Sequence, residues 1–323
     1  MVDAHYDLLS IAYVCYLKHD YTKIEKYTSE IKKSGVKSIF ANLYFESAEE
    51  MKEELHPNYY NENVSVIKMF KISKMILEKY LPNIDFVYSI EGCDYIKKSE
   101  LKELYDEGLR SIILVWNTEN IYGSGNRTGK GLTKKGIDFL NEAIDLGIGI
   151  DLSHANEPTF YGMIDVIKEN ISKGKNVLCY ASHSNSRRLT DKKRNLTDEQ
   201  LYAIKEVNGY VGVLSNAHFV SCGTTGTKEQ QSREYLEHII HISSIIGKDK
   251  VMLSTDDMRF VSDVDPDYGI APIYNYLTIK EDIEKELLTY FNSEDTNNIL
   301  FNNAYNNIVS ILNNVEKKKL VFS

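Results

Sequence analysis

Short apolar runs recur along the chain, each followed by a longer stretch whose apolar positions return every third or fourth residue. The short runs cover 2–7, 36–45, 85–92, 109–116, 148–154, 177–183, 210–216 and 251–256. Amphipathic stretches lie between them at 21–34, 62–80, 100–107, 133–146, 158–172, 197–207 and 229–246, and two further helical segments follow at 280–291 and 295–314. Strand alternating with helix eight times implies a parallel sheet, and eight such units close a (β/α)8 barrel. The rival architecture, an open doubly wound sheet, carries a Gly-rich phosphate turn after its first strand. Leu8-Leu9-Ser10-Ile11 is no such turn. The pattern therefore predicts one barrel domain over residues 1–323 with added C-terminal helices.

Helix punctuation fits this frame. Thr133 can cap the segment that follows it, Gly147 stands where that helix should stop, and Pro158 suits a first helical turn. Thr197 with Gln200 three residues on reads as a capping box.

In a barrel the chemistry sits at the C-terminal ends of the strands, and here those ends are polar. The first run holds His5 and Asp7, which share one face of a strand. The third ends Ser89-Ile90-Glu91-Gly92, the fifth Asp151-Leu152-Ser153-His154, the sixth Ala181-Ser182-His183-Ser184 and the eighth Ser254-Thr255-Asp256-Asp257. Any one polar residue can merely cap its own strand; three histidines and several carboxylates around one mouth match a two-metal hydrolase site. Two such ions share a bridging hydroxide and polarise a carbonyl oxygen. Glu91 is the natural bridge, with His5 and Asp7 completing one ion and His154 and His183 the other. Nitrogen and oxygen donors without thiolate suit two Zn²⁺, with Mn²⁺ or Co²⁺ as alternatives.

Composition narrows the setting. Across 323 residues the net charge is -9, which argues against nucleic acid or an anionic membrane as partner. No run approaches the ~20 apolar residues of a membrane span. The N-terminus lacks the basic and apolar regions of an export signal, and the four cysteines are scattered, so the cytoplasm is the expected compartment.

The sequence resembles the membrane (renal) dipeptidase family of zinc metallopeptidases over nearly its whole length. The likeness rests on Asp3 to Leu8, Ile90-Glu91-Gly92, the Leu104 to Arg110 stretch, Gly131-Leu132-Thr133, Gly147 through His154, Ser182-His183-Ser184 and Arg194-Asn195-Leu196-Thr197-Asp198. The resemblance implies that His5, Asp7, Glu91, His154 and His183 take the metal-ligand positions. It also implies that Arg194 holds the terminal carboxylate of a small dipeptide and that Asp256 moves the proton. A C-terminal D-residue is within the family's range, and a homodimer is its usual assembly.

Departures from the family pattern bear on the substrate. Trp116 stands where the renal enzyme has a histidine near the substrate carbonyl, and Trp116, Asn117 and Asn120 resemble a bacterial Trp-Asn-x-x-Asn form. Trp116 and Asn117 are thus candidate substrate contacts, His218 is a candidate extra donor, and Tyr122 is a candidate pocket wall. Met258 and Arg259 replace the usual strand-eight ending and should reshape the rim. Two other readings share these residues: another metal-dependent amidohydrolase, such as an N-acyl amino acid deacylase or cyclic amidase, and a metal-binding homologue without turnover.

Overall fold

The computed structural model describes residues 1–44, 65–257 and 271–314. Its eight parallel strands lie side by side in chain order: β1 (Val2–Tyr6), β2 (Ser38–Tyr44), β3 (Asp85–Glu91), β4 (Leu109–Ile113), β5 (Gly149–Asp151), β6 (Cys179–Ala181), β7 (Tyr210–Leu214) and β8 (Val251–Ser254). The ring closes where β8 meets β1. There the Asp256 N–H donates to the His5 carbonyl at 3.0 Å. The buried Asp3 carboxylate accepts from the Thr255 N–H (2.9 Å), the Thr255 hydroxyl (2.7 Å) and the Tyr276 hydroxyl (3.0 Å). Burial pushes the Asp3 pKa up to about 6, and these donors hold it from rising further.

The helices surround this ring: α1 (Leu8–Lys18), α2 (Thr22–Lys33), α3 (Val66–Tyr80), α4 (Leu101–Asp106), α5 (Lys134–Leu146), α6 (Glu157–Ser172), α7 (Asp198–Glu206), α8 (Lys228–Ile246) and α9 (Ile279–Leu287). Thr133 caps α5 through the Gly136 N–H, and Gly147 ends it at φ 80°. Thr197 and Gln200 form the capping box of α7. Pro158 lies within the first turn of α6, capped by Asn156. Helix α1 was not foreseen. Its buried residues run Leu8, Leu9, Ser10, Ile11, Ala12, Tyr13 and Cys15, covering most of its circumference, so it lacks the polar stripe that betrays a surface helix.

Two apolar layers fix the ring. Side chains from the strand starts (Val2, Ala4, Phe40, Val87, Tyr180, Tyr210, Met252) fill the barrel floor. The C-terminal stretch seals it from below with Phe301, Tyr305, Ile308 and Val309. A larger outer layer packs the helices on the sheet. The strands are shorter than the apolar runs that predicted them, so most candidate site residues stand in the turns just beyond the strand ends. Phe45, residues 62–64 and the basic run 317–319 lie outside the described residues. No helix among the described residues is long and apolar enough to cross a membrane.

Candidate metal centre

β1 carries the first donor by breaking its own alternation. Val2 and Ala4 point into the floor, but Tyr6 packs in the outer layer against Tyr276, ring centres 5.3 Å apart. A register irregularity between Asp3 and Tyr6 accounts for the switch and turns His5 into the mouth. Asp7 follows at the N-cap of α1, and Glu91 is the last residue of β3. His154 and His183 stand beyond β5 and β6. The Asp151 carboxylate ties those two turns together by accepting from the Ser153 and Ser182 N–H groups, each at 3.0 Å. His154 and Asp256 have left-handed backbone, φ 67° and 48°, an uncommon state for residues other than glycine.

These turns bring the predicted donors together. His5 Nε2 lies 3.6 Å from Asp7 Oδ1, 3.2 Å from Glu91 Oε2 and 3.6 Å from Asp256 Oδ1. On the other side, His154 Nε2 is 2.8 Å from Glu91 Oε1 and 2.9 Å from His183 Nε2. His183 Nε2 is 3.7 Å from the same Glu91 oxygen. Donors held at about 2.0–2.2 Å around a tetrahedral ion stand roughly 3.3–3.6 Å apart, so the His5 contacts have nearly the spacing an ion requires and the His154 contacts are tighter; His5, Glu91 and His183 also group closely enough to hold an ion. Glu91 gives one oxygen to each set. His5 Nε2 and Asp7 Oδ1 are buried with no hydrogen-bond partner among the described residues. Polar atoms orphaned in this way are expensive unless something satisfies them, and a divalent cation does.

Electrostatics agree. Burial pushes the His154 pKa down to about 4, with Arg194 adding to it against the pull of Glu91. Burial and the neighbouring His5 and Arg194 hold His183 well below its ordinary value. Both rings are therefore shifted toward the neutral form, the form in which an imidazole can ligate an ion. His5 is the reverse: burial opposes its charge, but Glu91 and Asp7 outweigh burial and raise its pKa. Glu91 is buried, yet His5 and His154 hold it below the usual carboxylate range. The surplus of buried carboxylates at the β1 side leaves room for positive charge.

The ring nitrogens facing away from the centre have partners. The Asn42 amide nitrogen lies 3.1 Å from His5 Nδ1, Ser182 Oγ 2.8 Å from His183 Nδ1, and Asn117 Oδ1 3.0 Å from His154 Nδ1. Asn42 was not foreseen, since its only signal is a lone amide in the wholly buried strand β2.

At the rim, Arg194 is buried to 9% exposure and donates to Ser184 Oγ (2.9 Å) and the His183 carbonyl (2.8 Å). It forms no ion pair among the described residues. Trp116 borders His154 with ring centres 6.1 Å apart, meets Tyr44 edge-on at 5.1 Å and lies under the Arg127 guanidinium at 5.5 Å. His218 sits in a short turn after β7, and its buried Nε2 has no hydrogen-bond partner among the described residues. No hydrogen bond, ion pair or ring contact joins it to the five donors among the described residues.

The Asn117 side chain contacts His154 and Asn126. One expectation needs correction. Tyr122 is no pocket wall: it stacks on Phe139 at 4.3 Å and its hydroxyl donates to the Ile96 carbonyl, behind the barrel. Met258 and Arg259 lie outside the described residues.

Closed parallel strands with imidazole and carboxylate donors at their C-terminal ends define a barrel of the kind used by metal-dependent hydrolases. The comparisons make this specific: the model of the membrane dipeptidase family (peptidase family M19) matches residues 1–265, and the chain belongs to that family. An uncharacterised protein of Acinetobacter calcoaceticus is 33% identical over 166 residues, 48% of this chain and 50% of that protein. An uncharacterised dipeptidase of Schizosaccharomyces pombe is 31% identical over 171 residues, 51% of this chain and 39% of that protein. The chain spans about half the length of the curated relatives it matches. A metallopeptidase of Rhodobacter sphaeroides, solved with a phosphinate mimic of the dipeptide L-Ala-D-Ala, has the same fold at a TM-score of 0.72 and 19% identity. That likeness covers 97% of this chain and 98% of the other.

Proposed function

We propose that this protein is a metal-dependent dipeptidase whose centre takes two zinc ions. The observation that carries the reading is Glu91, a buried carboxylate with one oxygen toward His5 and the other toward His154 and His183. His5, Asp7 and Glu91 would hold one ion; Glu91, His154 and His183 the other. When bound, such a pair supplies a water-derived nucleophile at neutral pH and a Lewis acid for the scissile carbonyl.

The chain's own groups do the rest. Arg194 offers a guanidinium of which two of five N–H groups are engaged, leaving three for a substrate carboxylate. A dipeptide's carboxylate lies one residue beyond its scissile bond, which limits the substrate to short peptides. Asp256 is the proton carrier. Its side chain is 15% exposed, so it meets both the centre and solvent. Burial, reinforced by Asp7 and Glu91 against His5 and Arg194, pushes its pKa up to about 7. Cations beside it favour the ionised form, in which it accepts a proton from water and delivers it to the leaving amine. Trp116 walls the side of the mouth next to His154. The L-Ala-D-Ala mimic held by the Rhodobacter relative supports acceptance of a C-terminal D-residue here.

The test is a panel of L,L- and L,D-dipeptides and N-acyl amino acids, with and without chelator. Chelator-sensitive release of free amino acids from dipeptides is the expected result. Turnover of acylated substrates alone replaces this reading with a deacylase, and tight metal loading without any turnover leaves a binding protein.

A further inference from the structure

We propose that Asn117 is a positioning residue: its carboxamide oxygen, oriented by Asn126, holds the proton of His154 on Nδ1 and aims Nε2 at the centre. The proposal rests on the reading of His154 as a metal ligand. An imidazole offers a lone pair from Nε2 only when its proton sits on Nδ1, and that N–H needs an acceptor when buried. Asn117 Oδ1 stands 3.0 Å from His154 Nδ1 and accepts from Asn126 Nδ2 at 2.7 Å. A carboxamide can present either end; the oxygen carries both contacts here, and the oxygen is the end that a His154 protonated on Nδ1 requires.

The loop is built to keep this geometry. The Arg127 N–H donates to the Asn117 carbonyl and the Gly125 N–H to the Thr118 carbonyl, both at 2.8 Å. Gly125 also bridges to Ala155, next to His154, so loop and ligand are one unit. A Cβ on Gly125 would lie 1.8 Å from the Trp116 carbonyl oxygen and 2.4 Å from the Asn117 carbonyl carbon. Only glycine lets the backbone approach that closely. Asn120 folds the turn, donating to the Leu114 carbonyl and accepting from the N–H groups of Tyr122 and Gly123. Trp116, Asn117 and Asn120 thus divide three tasks: wall, ligand support and turn.

The test uses full-length protein loaded with Zn²⁺ and two substitutions. Asn117→Leu keeps the branched outline and removes the acceptor, whereas Asn117→Asp keeps an acceptor oxygen. In ¹⁵N-histidine-labelled protein the His154 Nδ1–H, identified by its absence in His154→Ala, is expected to exchange slowly with water in the wild type and in Asn117→Asp. It should exchange rapidly in Asn117→Leu. Zinc affinity by chelator competition should fall about 10–100-fold in Asn117→Leu and stay within a few-fold in Asn117→Asp. Dipeptide kcat should follow the affinity. A raised KM with zinc affinity and the Nδ1–H unchanged would make Asn117 a substrate contact and overturn the proposal, as would no change at all. Should Asn117→Leu fail to fold, Asn126→Ala is expected to move the same readouts in the same direction, and unmoved readouts overturn it. Undiminished zinc stoichiometry in His154→Ala would instead remove the metal-ligand reading on which the proposal stands.

Discussion

Arg194→Ala isolates the contact that should confine this protein to free dipeptides. The guanidinium is almost wholly buried and feels the charge of Asp256, Glu91 and Asp151 without an ion pair to any of them among the described residues. A substrate carboxylate would be its first directly paired anion. At an effective dielectric near 20, opposite charges about 4 Å apart attract by about 4 kcal/mol. At about 1.4 kcal/mol per decade that is roughly a thousandfold in kcat/KM. Removing the side chain also relieves a buried charge, so the observed loss should fall between about 10² and 10³. The terminal carboxylate takes no part in bond breaking and is held alike in ground and transition states. KM should therefore carry nearly all of the change. The assay compares a dipeptide with its C-terminal amide in both proteins. The wild type should prefer the free acid strongly, and the variant should treat the two nearly alike. Because Arg194 also donates to the His183 carbonyl, zinc content must be matched first. A variant that keeps the preference, or loses kcat at constant KM, refutes the assignment.

Glu91→Gln should abolish zinc loading at both positions and lower activity at least about 100-fold; metal analysis showing two ions retained would contradict a shared ligand. Gly212→Ala would set a Cβ 1.8 Å from the Ser182 carbonyl oxygen, next to His183. A loss of at least about 1–3 kcal/mol by denaturant unfolding is expected, with weaker zinc binding; unchanged stability would show that the β6–β7 approach relaxes freely.

The barrel was legible in the sequence because each of its eight strands is a short apolar run and most of the intervening helices have one polar face. Helix α1 escaped because it is buried on most sides and so has no such face. Five donors stood out because histidine and carboxylate at strand ends are chemically conspicuous. Their supports did not: Asn42, Asn126 and Asp151 are single polar residues whose partners are 37, 9 and 31 positions away, at no spacing that a strand or helix pattern marks. The bulge in β1 was equally silent, since Val2 and Ala4 promise an alternation that would turn His5 outward.

The seam between the first and last strands has a consequence for how the molecule assembles. Hydrogen bonds there join residues 250 and 252 apart in the chain, so closure carries a large entropic penalty and comes late. Donors that straddle this junction, His5 and Asp7 on one side and Asp256 on the other, do not exist as a group until the ends have met. An ion held by His5 and Asp7 beside this junction would act as a clasp on the finished ring, and its retention would report whether the chain has completed its circuit.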